Sequence, residues 1–238
     1  AHRGRLGNWL TINGKSQFKT SVKINSRIRL RLINSSNARI LKLKLTGGVG
    51  LRVSLDGNPS NLASISKFEL GPAQRIDLLL DVGTEPLFLH DLSSREKILA
   101  GIIEPSSHLG RGIVKRDPLI PNRLESTPSN LKHAKRLKVH MQGGARGNLS
   151  HASFNGENYS IRHLARFEKK VWAFNSIVGV YDHQLGEVPL GKMVILEIFN
   201  DTAWSHAMHI HGHDFWIRSS KQPDNNHTDI KRDTYLMA

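Results

Sequence analysis

The chain has 238 residues, 38% of them hydrophobic, no cysteine, and a formal net charge of +14. This length and apolar content predict a soluble globular protein with one large core or two of ordinary size. No stretch approaches the roughly 20 apolar residues of a membrane helix, so no membrane span is expected, and the absence of cysteine excludes disulfides, thiolate zinc sites and a cysteine nucleophile.

The predicted elements of the first part are strands. Short apolar runs recur at intervals of about ten residues, with Gly, Asn, Pro and Asp between them, which is typical of an all-β chain. Strands are predicted at residues 9–12, 26–33, 40–45, 51–55, 74–81 and 98–103. The dipeptides Asn13-Gly14 and Asp56-Gly57 predict tight turns, because positive φ costs these residues little.

The amino-acid composition and periodicity change between residues 106 and 136. Pro118, Pro121 and Pro128 interrupt a polar, basic stretch without sustained periodicity, which indicates a linker. A second strand-rich block follows, with strands predicted at residues 137–141, 170–174, 193–200 and 206–217. Two packed-sheet modules, most simply β-sandwiches, therefore form the predicted architecture.

The segment SHAMHIHGHDF contains four histidines within eight positions. Side chains two apart share a face of a strand, so His209, His211 and His213 are expected on one side, with His206 just before them. Such imidazoles can bind neighbouring metal ions, or bridge a small cluster when a facing pair supplies the other ligands. Solvated or hydrogen-bonded histidines are the alternative, but this spacing favours ligands.

The same segment resembles the copper motif in the third domain of the multicopper oxidases, the laccase-like group. Its context, VPLGKMVILEIFNDTAWSHAMHIHGHDFWI followed by KRDTYLMA, is similar to that family. The stretch VWAFNSIVG resembles the family's W-x-x-N-G strand and turn, with Ser176 in place of the usual glycine. LTING, LDGNP and LGPAQRIDLLLDV follow the order of its middle domain, so the resemblance covers nearly the whole chain.

The resemblance implies an all-β fold of two tandem cupredoxin-like Greek-key β-sandwiches, the second incomplete. Residues 1–107 would form the middle cupredoxin-like domain and residues 108–136 the linker. Residues 137–238 would form a partial C-terminal cupredoxin-like domain that carries the histidine motif.

The resemblance also assigns copper ligands. His206 matches the ligand of the type 1 copper, His209 a type 2 ligand and His211 a type 3 ligand of the trinuclear cluster. His213 matches a position that is usually not a ligand, so a structural role is expected for it. Asp214 and the pair Arg232-Asp233 could form hydrogen bonds near the site, and a surface or strand-end role is an equal alternative.

Part of the family's ligand set is missing from this sequence. The family's cluster requires four H-x-H pairs, of which this sequence supplies one, His209 and His211, and its type 1 centre requires a cysteine thiolate. We therefore expect a fragment that cannot complete these centres alone, with the remaining ligands in a longer parent or a complementing chain.

The leading hypothesis is a laccase-like multicopper oxidase with copper as cofactor. Dioxygen and a phenol, an aromatic amine or a metal ion would be its substrates, and the family implies a periplasmic or secreted location. The alternative is a non-enzymatic cupredoxin-like module for copper binding or protein interaction. No RNP, KH or zinc-finger pattern supports a nucleic-acid partner, and a basic scaffold for an anionic partner is motivated by the charge alone.

Overall fold

A computed structural model describes residues 6–110, 112, 128, 131–179, 183–218 and 231–237. The regular elements are strands apart from one short helical segment, and this confirms the predicted all-β class. Most of the predicted linker, including residues 113–127, lies outside the described residues. The described chain divides into two compact units: residues 6–112 with 207–236, and residues 128–206 with Met237.

The first unit is a β-sandwich of nine strands from its N-terminal part. They are β1 (Phe18–Ile24), β2 (Ser26–Ile33), β3 (Leu41–Thr46), β4 (Gly50–Leu55), β5 (Asn58–Ile65), β6 (Lys67–Leu70), β7 (Arg75–Val82), β8 (Leu87–Asp91) and β9 (Ile98–Leu109). One sheet has the order β1-β9-β8-β3-β6, and the other has the order β2-β7-β4-β5. Strand β1 is parallel to β9, and the other described pairings in these two sheets are antiparallel.

The core of this sandwich lies between the two sheets. Leu45 of β3 and Leu87 of β8 come from the five-stranded sheet, while Leu78 and Leu80 of β7 come from the four-stranded sheet, and all four are buried in one cluster. Burying each such side chain contributes about 1.5–3 kcal/mol. The alternation of apolar and polar residues in these strands is therefore sufficient to fix which face points inward.

Most predicted strands of the first unit are confirmed within one or two residues, with two kinds of exception. Residues 9–12 do not form a strand; Ile12 makes only an isolated pairing with Lys15 around the Asn13-Gly14 turn. Strand β9 continues to Leu109, beyond the predicted end at residue 103. Both turn predictions are confirmed, since the backbone of Asn13 and of Asp56 adopts positive φ.

The second unit contains β10 (Lys135–Gly143), β11 (His151–Phe154), β12 (Glu157–Ser160), a helical turn α1 (Ile161–His163), a π-helical turn (Leu164–Glu168), β13 (Trp172–Phe174) and β14 (Val194–Thr202). Its sheet has the order β13-β10-β14, with β10 parallel to β14, and β11 and β12 form a hairpin. Leu149, Ala152, Leu164, Ala173 and Val178 form its buried cluster. In the described chain, no helix is long and apolar enough to cross a membrane.

The turn after β13 is held in a backbone conformation that glycine prefers. Asn175 and Ser176 have φ of 50° and 62°. The Gln142 side-chain oxygen accepts hydrogen bonds from the Ser176 backbone N–H and hydroxyl, at 2.9 and 3.1 Å. These contacts stabilise the turn at the position where Ser176 departs from the family pattern.

The histidine segment is not one continuous strand, so the prediction of a strand over residues 206–217 is wrong. Strand β15 (His206–His209) ends before His211, and β16 (Phe215–Trp216) begins after a turn. Gly212 lies in that turn with φ of 75°, a conformation outside the β region. Strand β15 pairs with β18 (Thr234–Met237), and β16 pairs with β17 (Lys231–Arg232).

Candidate metal centre

His209, the last residue of β15, is oriented by the strand beside it. Its Nδ1 lies 3.0 Å from the backbone oxygen of Asp233 and 2.9 Å from the hydroxyl oxygen of Thr234. A carbonyl oxygen can only accept a hydrogen bond, so Nδ1 carries the proton in the neutral ring. The lone pair is then on Nε2, the nitrogen that can bind a metal.

His211 lies in the turn after β15 and remains close to His209. The two ring centroids are 4.6 Å apart, with their planes at 78°. His211 is exposed and His209 is partly buried. The structure therefore brings these two predicted ligands together through a turn, although the shared strand face expected from the sequence does not form.

The carboxylate of Asp233 anchors the segment opposite His209. Arg75 donates two hydrogen bonds to it, at 2.8 and 2.6 Å, and the Thr234 hydroxyl donates a third at 2.7 Å. Burial acts to raise the pKa of Asp233, but the hydrogen bonds from Arg75 and Thr234 outweigh it and hold the pKa below its usual value. Asp233 is therefore an ionised, bidentate partner of Arg75 at neutral pH.

A buried ion pair adjoins this anchor. Arg232 Nε lies 2.7 Å from Asp56 Oδ2, and the two side chains are 7% and 0% exposed. The other oxygen of Asp56 accepts a hydrogen bond of 2.8 Å from the backbone N–H of Arg75. Asp56, predicted only as a turn residue, therefore fixes both β7 and β17.

His206 belongs to the second unit and is held by different contacts. Its Nε2 lies 2.9 Å from the hydroxyl oxygen of Thr202. Its ring meets the Trp172 ring edge to face, with centroids 5.4 Å apart and planes at 83°. Burial lowers the pKa of His206 below its usual value, so the ring is neutral at pH 7.

The remaining residues of the motif have simpler surroundings. His213 is exposed after the turn. Asp214 is also exposed, and its carboxylate accepts a hydrogen bond of 3.0 Å from the side chain of Asn58. Hydrogen bonding was one of the two roles predicted for Arg232 and Asp233. No sequence pattern indicated that the hydroxyl groups of Thr202 and Thr234 contact the histidines.

The donor chemistry of this region fits copper, because neutral imidazoles are good ligands for that metal. Within the described ranges, however, no group of three or more His, Cys, Asp or Glu side chains is arranged to hold an ion. The assignment of His206, His209 and His211 as copper ligands therefore stays a prediction.

Residues 132–238 match the protein family described as multicopper oxidase, Cu-oxidase_2, which confirms the predicted resemblance. A multicopper oxidase from Staphylococcus epidermidis is 24% identical over 225 residues, which are 91% of this chain and 40% of that relative. A multicopper oxidase from Staphylococcus aureus is 33% identical over 81 residues, 33% of this chain and 18% of that relative.

Solved structures share the fold. A laccase-like multicopper oxidase, CueO from Ochrobactrum sp., superposes with a TM-score of 0.72 and 22% identity, covering 93% of this chain and 49% of that one. A multicopper oxidase from Pseudomonas parafulva gives a TM-score of 0.66 and 23% identity, covering 99% and 53%. The chain thus spans about half the length of these structures and less than half of the curated relatives.

Proposed function

We propose that this chain, whose residues 132–238 match the multicopper oxidase family, is part of a copper-dependent, laccase-like oxidoreductase. The proposed activity couples one-electron oxidation of a substrate to the reduction of dioxygen to water. When bound, copper would supply the redox chemistry, and the protein would hold the metal and set its surroundings.

The arrangement of His209 and His211 is the single observation that carries this proposal. Their rings are 4.6 Å apart, and the contact of His209 Nδ1 with a backbone oxygen leaves Nε2 as a donor. In this proposal His209 and His211 serve the trinuclear cluster, and His206 serves the type 1 copper. The neutral state of His206 at pH 7 supports a ligand role, because a protonated imidazole cannot bind a metal.

The proposed substrates are phenols, aromatic amines or a metal ion such as Cu(I), together with dioxygen. The Ochrobactrum protein is described as having oxidase activity towards lignin model compounds and lignosulfonate, so phenols are the first class to test. The proposed location is the periplasm or the outside of the cell, where oxidation of external substrates would take place.

We propose that this chain contributes only part of the copper ligands. A blue type 1 centre depends on a thiolate, and the sequence has no cysteine. The remaining ligands would come from a longer polypeptide or from a complementing chain. The chain alone is therefore expected to bind copper without sustaining turnover.

A non-enzymatic copper-binding or protein-interaction module is the second candidate. One observation favours it: the sequence lacks the cysteine that a blue type 1 centre requires. The two candidates differ in what happens when the missing ligands are supplied, since only the oxidase would then consume dioxygen.

Copper stoichiometry, the optical spectrum and dioxygen uptake with a phenolic substrate test the proposal. After reconstitution with Cu(II), we expect about one copper per chain or fewer and no intense blue band. The double variant His209→Ala/His211→Ala should lose this copper. The matched control His151→Ala/His183→Ala removes two exposed imidazoles from outside the motif and should retain it.

Equal copper binding by all three proteins would contradict the assignment of His209 and His211. An intense blue band with full copper stoichiometry in the isolated chain would contradict both the need for a thiolate and the expected insufficiency of this chain. Copper binding without dioxygen uptake, even after the missing domains are added, would support the non-enzymatic candidate.

A further inference from the structure

Thr202, at the end of β14, has four polar atoms around its hydroxyl oxygen. Two are oxygens that accept hydrogen bonds: Asn200 Oδ1 at 2.7 Å and the Trp204 backbone oxygen at 3.0 Å. The other two are nitrogens: the Trp204 backbone N–H at 3.2 Å and His206 Nε2 at 2.9 Å. The hydroxyl therefore connects β14 to the first residue of β15.

The amide of Asn200 has a defined orientation in this cluster. Its Oδ1 accepts from the Thr202 backbone N–H at 3.2 Å, and its Nδ2 donates to the Trp204 backbone oxygen at 2.8 Å. A backbone N–H can only donate and a backbone oxygen can only accept, so a flipped amide would lose both contacts. The atom facing the Thr202 hydroxyl is consequently an acceptor.

The hydroxyl group has one proton and two lone pairs. Its proton is directed to one of the two acceptor oxygens, Asn200 Oδ1 being the nearer. The lone pairs then accept from the Trp204 backbone N–H and from His206. This requires His206 Nε2 to carry a proton, which leaves Nδ1 with the lone pair in the neutral ring.

We propose that Thr202, oriented by Asn200, is a positioning residue that holds His206 in its Nε2–H tautomer and so presents Nδ1 to the metal. The assignment of copper as that metal rests on the proposed function, whereas the tautomer does not. The edge-to-face contact with Trp172 restricts rotation of the His206 ring. A hydroxyl group at residue 202 is thus required for one particular ring nitrogen to act as donor.

Long-range ¹H–¹⁵N correlation spectra of the metal-free chain test this proposal. At about pH 8 the His206 ring is neutral, because burial lowers its pKa, and its signals are assigned by their loss in His206→Gln. We expect Nε2–H in the wild type and in Thr202→Ser, which keeps the hydroxyl. Thr202→Val, which keeps the shape, should show a shift towards Nδ1–H or a mixture of tautomers.

A predominant Nδ1–H tautomer in the wild type would overturn the proposal, and this result does not depend on whether any variant folds. An unchanged Nε2–H tautomer in a folded Thr202→Val protein would overturn the role of Thr202. Failure of the wild type to bind Cu(II) would contradict the proposed function but leave the tautomer result intact.

Discussion

His206 and His209 are three residues apart, yet different parts of the chain determine which of their nitrogens is protonated. His206 depends on a side-chain hydroxyl only four residues upstream, whereas His209 depends on a backbone oxygen 24 residues downstream. The first arrangement is local and is lost with one side chain. The second requires β15 to pair with β18, and no side-chain substitution removes the carbonyl itself.

The anchor of His209 also depends on long-range ion pairs. Arg75 fixes the carboxylate of Asp233, and Arg232 pairs with buried Asp56. The contacts described for His206 come from Trp172 and Thr202 of its own unit. Substitutions in the two regions should therefore differ in their effects on stability and on which nitrogen of each ring is protonated.

The largest expected effect is that of Arg232→Met, which leaves the carboxylate of Asp56 buried without its ion-pair partner. We expect a loss of about 3–5 kcal/mol in unfolding free energy, because a buried uncompensated charge is costly. The matched control Arg136→Met breaks the exposed pair with Glu197 and should cost less than about 1 kcal/mol. Urea denaturation measures both, and equal losses would contradict the anchoring role.

A smaller effect is expected from Gly144→Ala in the second unit. An added Cβ would lie 2.3 Å from the ring of Trp172, and Gly144 has φ of 76°. Gly156→Ala is the control, because it has the same left-handed backbone with no atom within 4 Å of the added Cβ. Overpacking should make Gly144→Ala less stable than the control by about 1–3 kcal/mol. Thermal denaturation with equal losses for the two variants would show that Trp172 moves away freely.

Thr234→Val should lower the stability of the protein without changing the tautomer of the His209 ring. Thr234 is fully buried and donates a hydrogen bond to Asp233, so we expect a cost of about 1–3 kcal/mol. The His209 ring should nevertheless keep its Nδ1–H tautomer, because the backbone oxygen of Asp233 remains. The ¹H–¹⁵N correlation spectrum of Thr234→Val should therefore show an unchanged His209 tautomer. A change would mean that both histidines depend on side-chain hydroxyls.

The smallest expected effect is on the dependence of stability on acid pH, at the ion pair between Arg27 and Asp81. The hydrogen bond from Arg27 lowers the pKa of Asp81, with burial opposing it. This contribution is present above the unfolded pKa of about 3.9 and is lost as pH falls through the lower folded pKa. Asp81→Asn should reduce the loss of stability over that range by less than about 1 kcal/mol, since the pair is partly exposed and screened by solvent. Identical pH profiles of the two proteins by urea denaturation would contradict this assignment.

Sequence patterns predicted strands such as β2 and β7, because one face of each is apolar and packs in the core. They missed β1, although its segment FKTSVKI alternates, as well as β5, whose segment NPSNLASI is mostly polar, and the short strands β6 and β8. The alternation of histidines suggested a strand through His213. Alternation does not indicate that the strand ends at His209 and that the chain turns at Gly212.

For the candidate site, spacing was sufficient to identify the histidines but not their hydrogen-bond partners. Thr234 reaches His209 only because β15 and β18 are paired, and sequence distance gives no sign of this pairing. Thr202 is close in sequence to His206, but its role depends on the direction of one hydroxyl proton, which follows from the atoms around it. The ring tautomers therefore depend on three-dimensional contacts that the sequence does not display.

The central claim, that His209 and His211 bind copper, is tested most directly by EPR of the Cu(II)-loaded chain. We predict nitrogen superhyperfine coupling from imidazole in the wild type and in His151→Ala/His183→Ala, and its loss in His209→Ala/His211→Ala. The same coupling in all three proteins would place the copper elsewhere and contradict the account.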